Sequence, residues 1–426
     1  MFTRSPGRYR GPSVRLSVLL CGLAVGQLSY ADGLTLQEAQ ALALRQDPSV
    51  QAVESRRAAL QELAVASAQL PDPMLSAGLV ALPTDTWRLG QEPMTQVQLG
   101  LSQKFPRGHS RALREEQVTE QSLALDETVR DQRLRIALAV REDYLEVLKQ
   151  IRRREINAKA ITAFGDLADI VQDYYATGRA QQQDVLQAAV ERARAEDREA
   201  RIAQDEDKAR ARLAAWIGAA AWGEFSREWP VFDVPPGVDV IVDALPGHPR
   251  IAALQRQVSA AETGVELTKQ RYKPEFGLDV VYGGRGGNEF DGSARSDLFS
   301  VMVVMDLPIF HGNRQDRYVA ASVAETSAAL FERDDMLRRM RSEAELHAAT
   351  LQRQQQRMRV FEQSLLPDAG FNADAAFEAY QSALDNLTTV VRARITQFEL
   401  QLDYADLLAE LLKTRARLKY LEGEPV

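Results

Sequence analysis

Between Thr95 and Phe105 apolar and polar residues alternate one for one: Val97, Leu99 and Leu101 fall on one face, and Gln96, Gln98, Gly100 and Ser102 on the other. A period of two predicts a strand with one buried and one wet face. Phe276, Leu278, Val280 and Tyr282 alternate in the same way with Gly277, Asp279 and Gly283. Met74 to Leu82 and Leu298 to Leu307 are less regular partners, joined to these strands through loops at Pro83 to Pro93 and Gly284 to Asp297 that hold turn-forming residues. The expectation is two hairpins, at about 74–105 and 276–307. Elsewhere the period is helical. Thr35 caps a segment whose apolar positions Leu42, Leu44, Val50, Val53 and Leu60 run until Pro71 and Pro73 stop it. From Arg107 to Trp229 there is no proline, and a continuous helix as far as Tyr175 measures about 100 Å at about 1.5 Å per residue. Leu134, Leu138, Leu145 and Leu148 follow coiled-coil-like spacing, while Ile136, Val140, Val147 and Ile151 widen the apolar face, so this helix needs neighbours on two sides. After the second hairpin the helical pattern restarts at Gly312, is interrupted at Leu366-Pro367-Asp368-Ala369-Gly370, and ends in the leucine-rich run Leu400 to Leu421.

These elements are written twice. His248-Pro249 stands 201 residues after Asp47-Pro48, and Pro274 stands 201 residues after Pro73; Pro308 follows Pro106 by 202. Arg210-Ala211-Arg212-Leu213 before Gly218 returns as Arg415-Ala416-Arg417-Leu418 before Gly423, and Tyr175 as Tyr380, all 205 residues on. Landmarks in the same order at nearly fixed spacing are the mark of an internal repeat. The expected organisation is a first repeat at 32–223, a proline-bearing linker at 224–246, a second repeat at 247–423 and a tail at 424–426. The fold class is mainly α with a small β part, in two tandem units of short helix, β-hairpin and very long helix pair.

With 426 residues, 45% apolar and 26% charged, the chain is of ordinary globular composition. No apolar run of about 18 residues occurs beyond the N-terminus, which excludes a polytopic helical membrane protein and leaves a β-barrel open. Arg4, Arg8, Arg10 and Arg15 precede the apolar run Leu16 to Gly26, with small residues at Ser29 and Ala31, which predicts a secretory signal peptide over 1–31. Its removal takes four arginines and no acid from a chain of formal charge -8, together with Cys21, the sole cysteine. A net negative chain without a basic cluster argues against a nucleic-acid partner. Four histidines and that one cysteine are too few for a zinc or disulfide framework. His109 and His311 follow strand-ending prolines without further ligands at suitable spacing, and Met336 and Met340 read as core filler. No nucleophile triad, phosphate loop or carboxylate cleft stands out, so neither an enzyme nor a cofactor nor a bound metal is expected.

Four strands cannot close a barrel, and an open edge cannot face lipid, whereas three chains supply twelve strands. Gln96, Gln98, Ser102 and Asp279 would then line water. The chain resembles the outer-membrane efflux protein (TolC) family from about Leu34 to Gly423. The resemblance rests on Leu34-Thr35-Leu36-Gln37-Glu38-Ala39 with Asp47-Pro48, the turn Tyr175-Ala176-Thr177-Gly178 leading to Asp184-Val185-Leu186-Gln187-Ala188, Leu366-Pro367, and both Arg-Leu-to-Gly endings. It implies a homotrimer with a 12-stranded β-barrel in the outer membrane and a periplasmic α-helical barrel. It also implies two partners, a periplasmic adaptor (membrane fusion protein) and an inner-membrane RND transporter. Under it, Tyr175, Gly178, Asp184, Tyr380, Asp385, Thr389 and Arg392 belong to the periplasmic gate and adaptor-docking tip. Ala383 departs from the glycine usual in the second turn, and Thr389 and Arg392 stand where some relatives carry acidic rings. The segments Leu70-Pro71-Asp72-Pro73-Met74, Leu82-Pro83, Gln91-Glu92-Pro93-Met94 and Phe105-Pro106-Arg107-Gly108 look like those of outer-membrane components of heavy-metal RND systems, so the expected function is a passive exit duct for metal cations. A drug-efflux or type I polypeptide-secretion duct is the alternative cargo reading, and a soluble periplasmic coiled-coil scaffold or adaptor without a pore the alternative of another class.

Overall fold

The structure, a computed structural model, describes residues 33–423. The leader read over 1–31, with Cys21, and the tail 424–426 lie outside the described residues. Two helices open the chain, α1 (Leu36–Gln46) and α2 (Pro48–Ser67). Thr35 caps α1 through a capping box in which Glu38 returns a bond to the Thr35 N–H at 2.9 Å. The single helix expected from Thr35 to Pro71 is divided because Asp47 takes an extended conformation, accepts the Ser49 N–H at 2.7 Å, and starts a new helix with Pro48 at its first position.

Strands β1 (Met74–Val80) and β2 (Gln96–Phe105) form the first hairpin, and β3 (Phe276–Arg285) and β4 (Leu298–Met305) the second. They join in one antiparallel sheet in the order β1-β2-β3-β4. Its central seam pairs Phe105 with Phe276 and Gln96 with Arg285. The hairpins thus lie where the alternation placed them.

After the first hairpin come α3 (Ser110–Ala176) and α4 (Gln182–Ile217); α5 (Val238–Ala244) and α6 (Pro249–Lys269) precede the second. After it come α7 (Gln315–Val360), α8 (Leu366–Gln381) and α9 (Leu387–Glu422). The 67-residue α3 is about 100 Å long. The second long helix begins at Gln315 instead of Gly312, and the break expected at Leu366–Gly370 is not one. A π turn of 5 residues at Phe361–Leu365 joins α7 to α8, and Pro367 is tolerated in the first turn of α8, where its missing N–H is not needed. The 46 residues of α7, that turn and the 16 of α8 equal the length of α3, and α4 and α9 are 36 residues each.

The packing of α3 explains its broad apolar face. Leu134 and Leu145 enter a core with Ile251, Met340, Leu411 and Leu418. Ile136, Val140, Val147 and Leu148 enter another with Leu36, Ala43, Leu213 and Ile217. Each fully buried aliphatic side chain contributes about 1.5–3 kcal/mol relative to exposure. Met340 is core filler, as its spacing suggested, with Met336 packed against the same cluster. The segment 224–246, read as a linker, is more ordered than its prolines suggest: Ile241 and Leu245 of and after α5 are buried in the second core. At its start Phe225 bridges Leu34, and Gly33 sits at φ +81° so close to the Phe225 carbonyl that a Cβ there has no room. Toward the far end of the rods a third core gathers Phe164, Leu167, Val171, Ala188, Leu387, Val391 and Phe398.

Candidate functional site: the sheet face and the helical tip

Register divides the sheet into two faces. One carries Leu75, Ala77 and Leu79 of β1, Val97, Leu99 and Leu101 of β2, Phe276, Leu278, Val280 and Tyr282 of β3, and Phe299, Val301 and Val303 of β4. Gln103 is the one long polar side chain among them. Leu75 is 72% exposed, Phe299 70% and Val303 66%. An apolar surface of this extent on one side of a sheet is foreign to water-facing monomers and fits lipid.

The other face brings together the four positions read as lining water. Ser102 pairs with Asp279 across β2 and β3. Gln98 donates to Gln96 Oε1 at 3.1 Å, and the Gln96 side chain lies over Gly283, where a Cβ would displace it. Met74, Val80, Val281, Leu298, Met302 and Val304 share this face, so it is mixed where the other is apolar throughout but for Gln103. At the foot of the sheet Arg107, just beyond β2, pairs with Asp306, just beyond β4, and approaches Glu275 at 3.6 Å. This clasp between the hairpins is not marked in the sequence because its members flank the strands and so break no alternation.

The opposite end of the molecule is formed by the α3–α4 and α8–α9 turns. In each the chain leaves the helix through a Schellman-type pair of bonds: Gly178 N–H to Tyr175 O at 3.0 Å with Arg179 N–H to Tyr174 O at 2.7 Å, and Ala383 N–H to Tyr380 O at 3.0 Å with Leu384 N–H to Ala379 O at 2.8 Å. Gly178 takes φ +75°, as that motif requires, and Ala383 takes φ +56°, where a Cβ is strained.

The tyrosine that meets Tyr380 is Tyr174, with ring centroids 5.8 Å apart. The Arg179 guanidinium lies 4.2 Å from the Tyr174 ring centre. Tyr175, its neighbour and the tip residue singled out in the sequence, is exposed. The reason is helix phase: Ala160, Phe164, Leu167 and Val171 form the buried stripe of α3, and its next member is residue 174. Tyr380 continues the corresponding stripe Ala369, Ala373 and Ala376 of α8. Its hydroxyl is enclosed without a hydrogen-bond partner among the described residues, and burial, followed by the charge of Asp184, pushes its pKa up.

Asp184 accepts the Gln181 N–H at 2.9 Å and so closes the N-terminus of α4. Asp385 accepts the Thr389 hydroxyl at 3.0 Å and the Asn386 N–H at 2.7 Å, while Asn386 caps α9 by accepting the Thr389 N–H at 3.1 Å. Thr388 reaches Gln187 across the two hairpins at 3.4 Å. Arg392 is exposed one turn into α9. Tip residues 175, 178, 184, 380, 385, 389 and 392 therefore share one end of the rods, with Asp184, Asp385 and Thr389 engaged as helix caps.

Among the described residues no three His, Asp or Glu side chains come together in a way that could hold a metal ion. His311 packs on Tyr272 at 5.2 Å, and His109 is the residue before α3. No described helix is long and apolar enough to cross a membrane.

Residues 240–424 match the family described as outer membrane efflux protein. Over these residues, which take in the second hairpin and the helices after it, the chain is similar to that family. Its members are channels and not enzymes, and they sit in the outer membrane with their helical part in the periplasm. No curated protein matches the sequence. Among solved structures, the outer membrane protein VceC of Vibrio cholerae is similar at 19% identity and a TM-score of 0.77, the alignment covering 92% of this chain and 96% of that one. CusC, whose structures describe folding and transmembrane channel formation, is similar at 14% identity and a TM-score of 0.76, over 91% of this chain and 92% of its own. The CmeC outer membrane channel of Campylobacter jejuni is similar at 13% identity and a TM-score of 0.75, over 91% and 85%. These likenesses are of fold, and they extend it over nearly the whole chain, including the half before residue 240.

Proposed function

We propose that three copies of this chain form a passive exit duct of a tripartite efflux pump. The observation that carries this reading is the sheet: four strands with one continuous exposed apolar face, an opposite face where Gln96, Gln98, Ser102 and Asp279 interrupt the apolar residues, and open edges at β1 and β4. An unpaired strand edge in lipid leaves N–H and C=O groups unsatisfied at several kcal/mol each, and three sheets closed edge to edge give twelve strands and no edge. Gln96, Gln98, Ser102 and Asp279 then line the lumen. The long helices continue the duct through the periplasm, and the equal lengths of their two sets fit a duplicated unit. The tip formed by the two turns is where a periplasmic adaptor docks and where the resting gate closes, with the inner-membrane RND transporter supplying the energy.

The cargo we assign is heavy-metal cations, on the likeness of the hairpin-flanking segments to metal-system components. Such a duct needs no metal site of its own. Deleting the gene and comparing growth inhibition by copper, silver, zinc, cobalt and cadmium with that by bile salts, dyes and antibiotics tests this. Selective metal sensitivity supports the assignment; sensitivity to the organic compounds alone moves the cargo to drugs. Membrane fractionation tests the duct itself: extraction by salt in place of detergent would favour a soluble scaffold, a reading against which the apolar sheet face argues.

A further inference from the structure

A cavity of about 450 Å³ lies between the first turn of α1, the middle of α3 and the segment after Phe225. It contains a charge that the described chain does not neutralise. Arg141 stands on α3 beside core residue Val140, is 7% exposed and lines this cavity. No carboxylate, carbonyl or hydroxyl among the described residues bonds its guanidinium, whereas Arg135 on the same helix pairs with Asp131 at 2.7 Å. Burial lowers the Arg141 pKa, and no neighbouring anion acts against it. The side chain is buried while its unpaired nitrogens keep contact with the cavity, so the charge faces into that space and points to a partner that arrives from outside.

The surroundings are those of an anion site. Leu36 and Gln37, in the first turn of α1, line the same cavity; the capping box uses the N–H groups of Thr35 and Glu38 and leaves theirs, at the positive end of the helix dipole. Lys419 lines it from α9, with Asp233 at 3.9 Å on the solvent side. Trp229 and Phe232 supply an apolar wall. Glu228 and Asp233 also border the space, which disfavours a dianion and selects a singly charged, bidentate acceptor. The volume is that of a small-molecule site.

We propose that this cavity binds a small organic monocarboxylate, with its carboxylate between the Arg141 guanidinium and the start of α1 and its apolar part against Trp229. The detergent-purified full chain, in buffer free of carboxylates and phosphate, is titrated with N-acetylleucine, with N-acetylleucine amide as the neutral control and inorganic phosphate as a second anion. Tryptophan fluorescence and the thermal midpoint are read. N-acetylleucine should give a saturable change that the amide does not, and Arg141→Gln should weaken it at least tenfold while melting no lower than the parent, because it removes a charge that nothing neutralises. Arg141→Lys, which keeps the charge and loses the fork, should bind several-fold more weakly. Equal responses to acid and amide, a response to phosphate alone, or undiminished binding in either variant would overturn the proposal.

Discussion

After α3 and after α8 the chain reverses through the same set of backbone bonds, yet the side chains that support the two turns differ at almost every position. In the first, glycine occupies the left-handed position, Arg179 covers Tyr174 where such a motif ordinarily places an apolar contact, and Gln181, a weak cap, is assisted by Asp184. In the second, alanine is held at positive φ, Leu384 is 83% exposed, and Asn386, a strong cap, works with Thr389 and Asp385. One turn is relaxed in its backbone and held by charge; the other is strained in its backbone and held by caps. If the halves arose by duplication, the backbone is what both copies needed, and the chemistry was free to diverge toward different neighbours.

The largest expected effect separates the two adjacent tyrosines. Tyr174→Ala removes the ring against Tyr380 and the seat of Arg179, and should cost about 2 kcal/mol, while Tyr175→Ala should cost less than about 0.5. Amide exchange at Arg179 and Ala180 should accelerate only in the first variant; equal acceleration in both would place the lock elsewhere.

Exchanging the left-handed residues sharpens the contrast. Gly178→Ala should destabilise by about 1 kcal/mol, and Ala383→Gly should stabilise by a similar amount, measured as shifts in thermal or denaturant midpoint. Loss of stability in both would mean that Ala383 makes contacts that outweigh its strain.

Next comes the cap. Asp184→Ala should cost about 1 kcal/mol through the lost bond to Gln181 and should loosen the resting gate. Unchanged bilayer conductance together with unchanged vancomycin sensitivity would reduce Asp184 to a cap alone.

The smallest effect concerns another pair of corresponding positions, the caps of α2 and α6. Asp47 serves the first; His248, 2% exposed, serves the second, its Nδ1 accepting the Arg250 N–H at 3.1 Å and its Nε2–H donating to Tyr420 O at 2.9 Å. Burial, aided by the charges of Arg250 and Arg135, holds its pKa below the usual histidine value despite the Tyr420 carbonyl and Asp131. The unfolded chain therefore takes up the proton first, so this contribution is present above the ordinary histidine pKa of about 6.5 and is lost progressively as pH falls below it. His248→Asn, which keeps a cap without titrating in this range, should flatten that part of the stability profile; an unaltered slope would assign it to other groups.

The strands were legible because a period of two with one apolar face has few other readings, and the length of α3 was legible because proline is absent from its stretch. The Asp47-Pro48 break was visible as a motif, but not as a helix boundary, since a capping aspartate followed by proline starts a helix without interrupting the apolar period. Pro367 misled for the opposite reason: a π turn upstream lets the helix carry a proline that pattern alone treats as a stop. At the tip, the repeat offset matched Tyr175 with Tyr380 as equivalent turn positions, whereas the ring that packs on Tyr380 is Tyr174, to which the stripe running through Phe164, Leu167 and Val171 pointed. Arg107 and Arg141 depend on contacts far apart in the chain, and no local pattern announces them.

The central claim, that one sheet face meets water inside a duct and the other meets lipid, is tested most directly by cysteine accessibility. Cys21 is the chain's only cysteine, so the parent protein serves as the blank. Gln98→Cys and Leu99→Cys place adjacent thiols on opposite faces of β2. In outer membranes a charged, membrane-impermeant maleimide should label Gln98→Cys above the blank and leave Leu99→Cys to lipid-soluble reagents alone. Labelling of Leu99→Cys by the charged reagent, with or without Gln98→Cys, would contradict the duct.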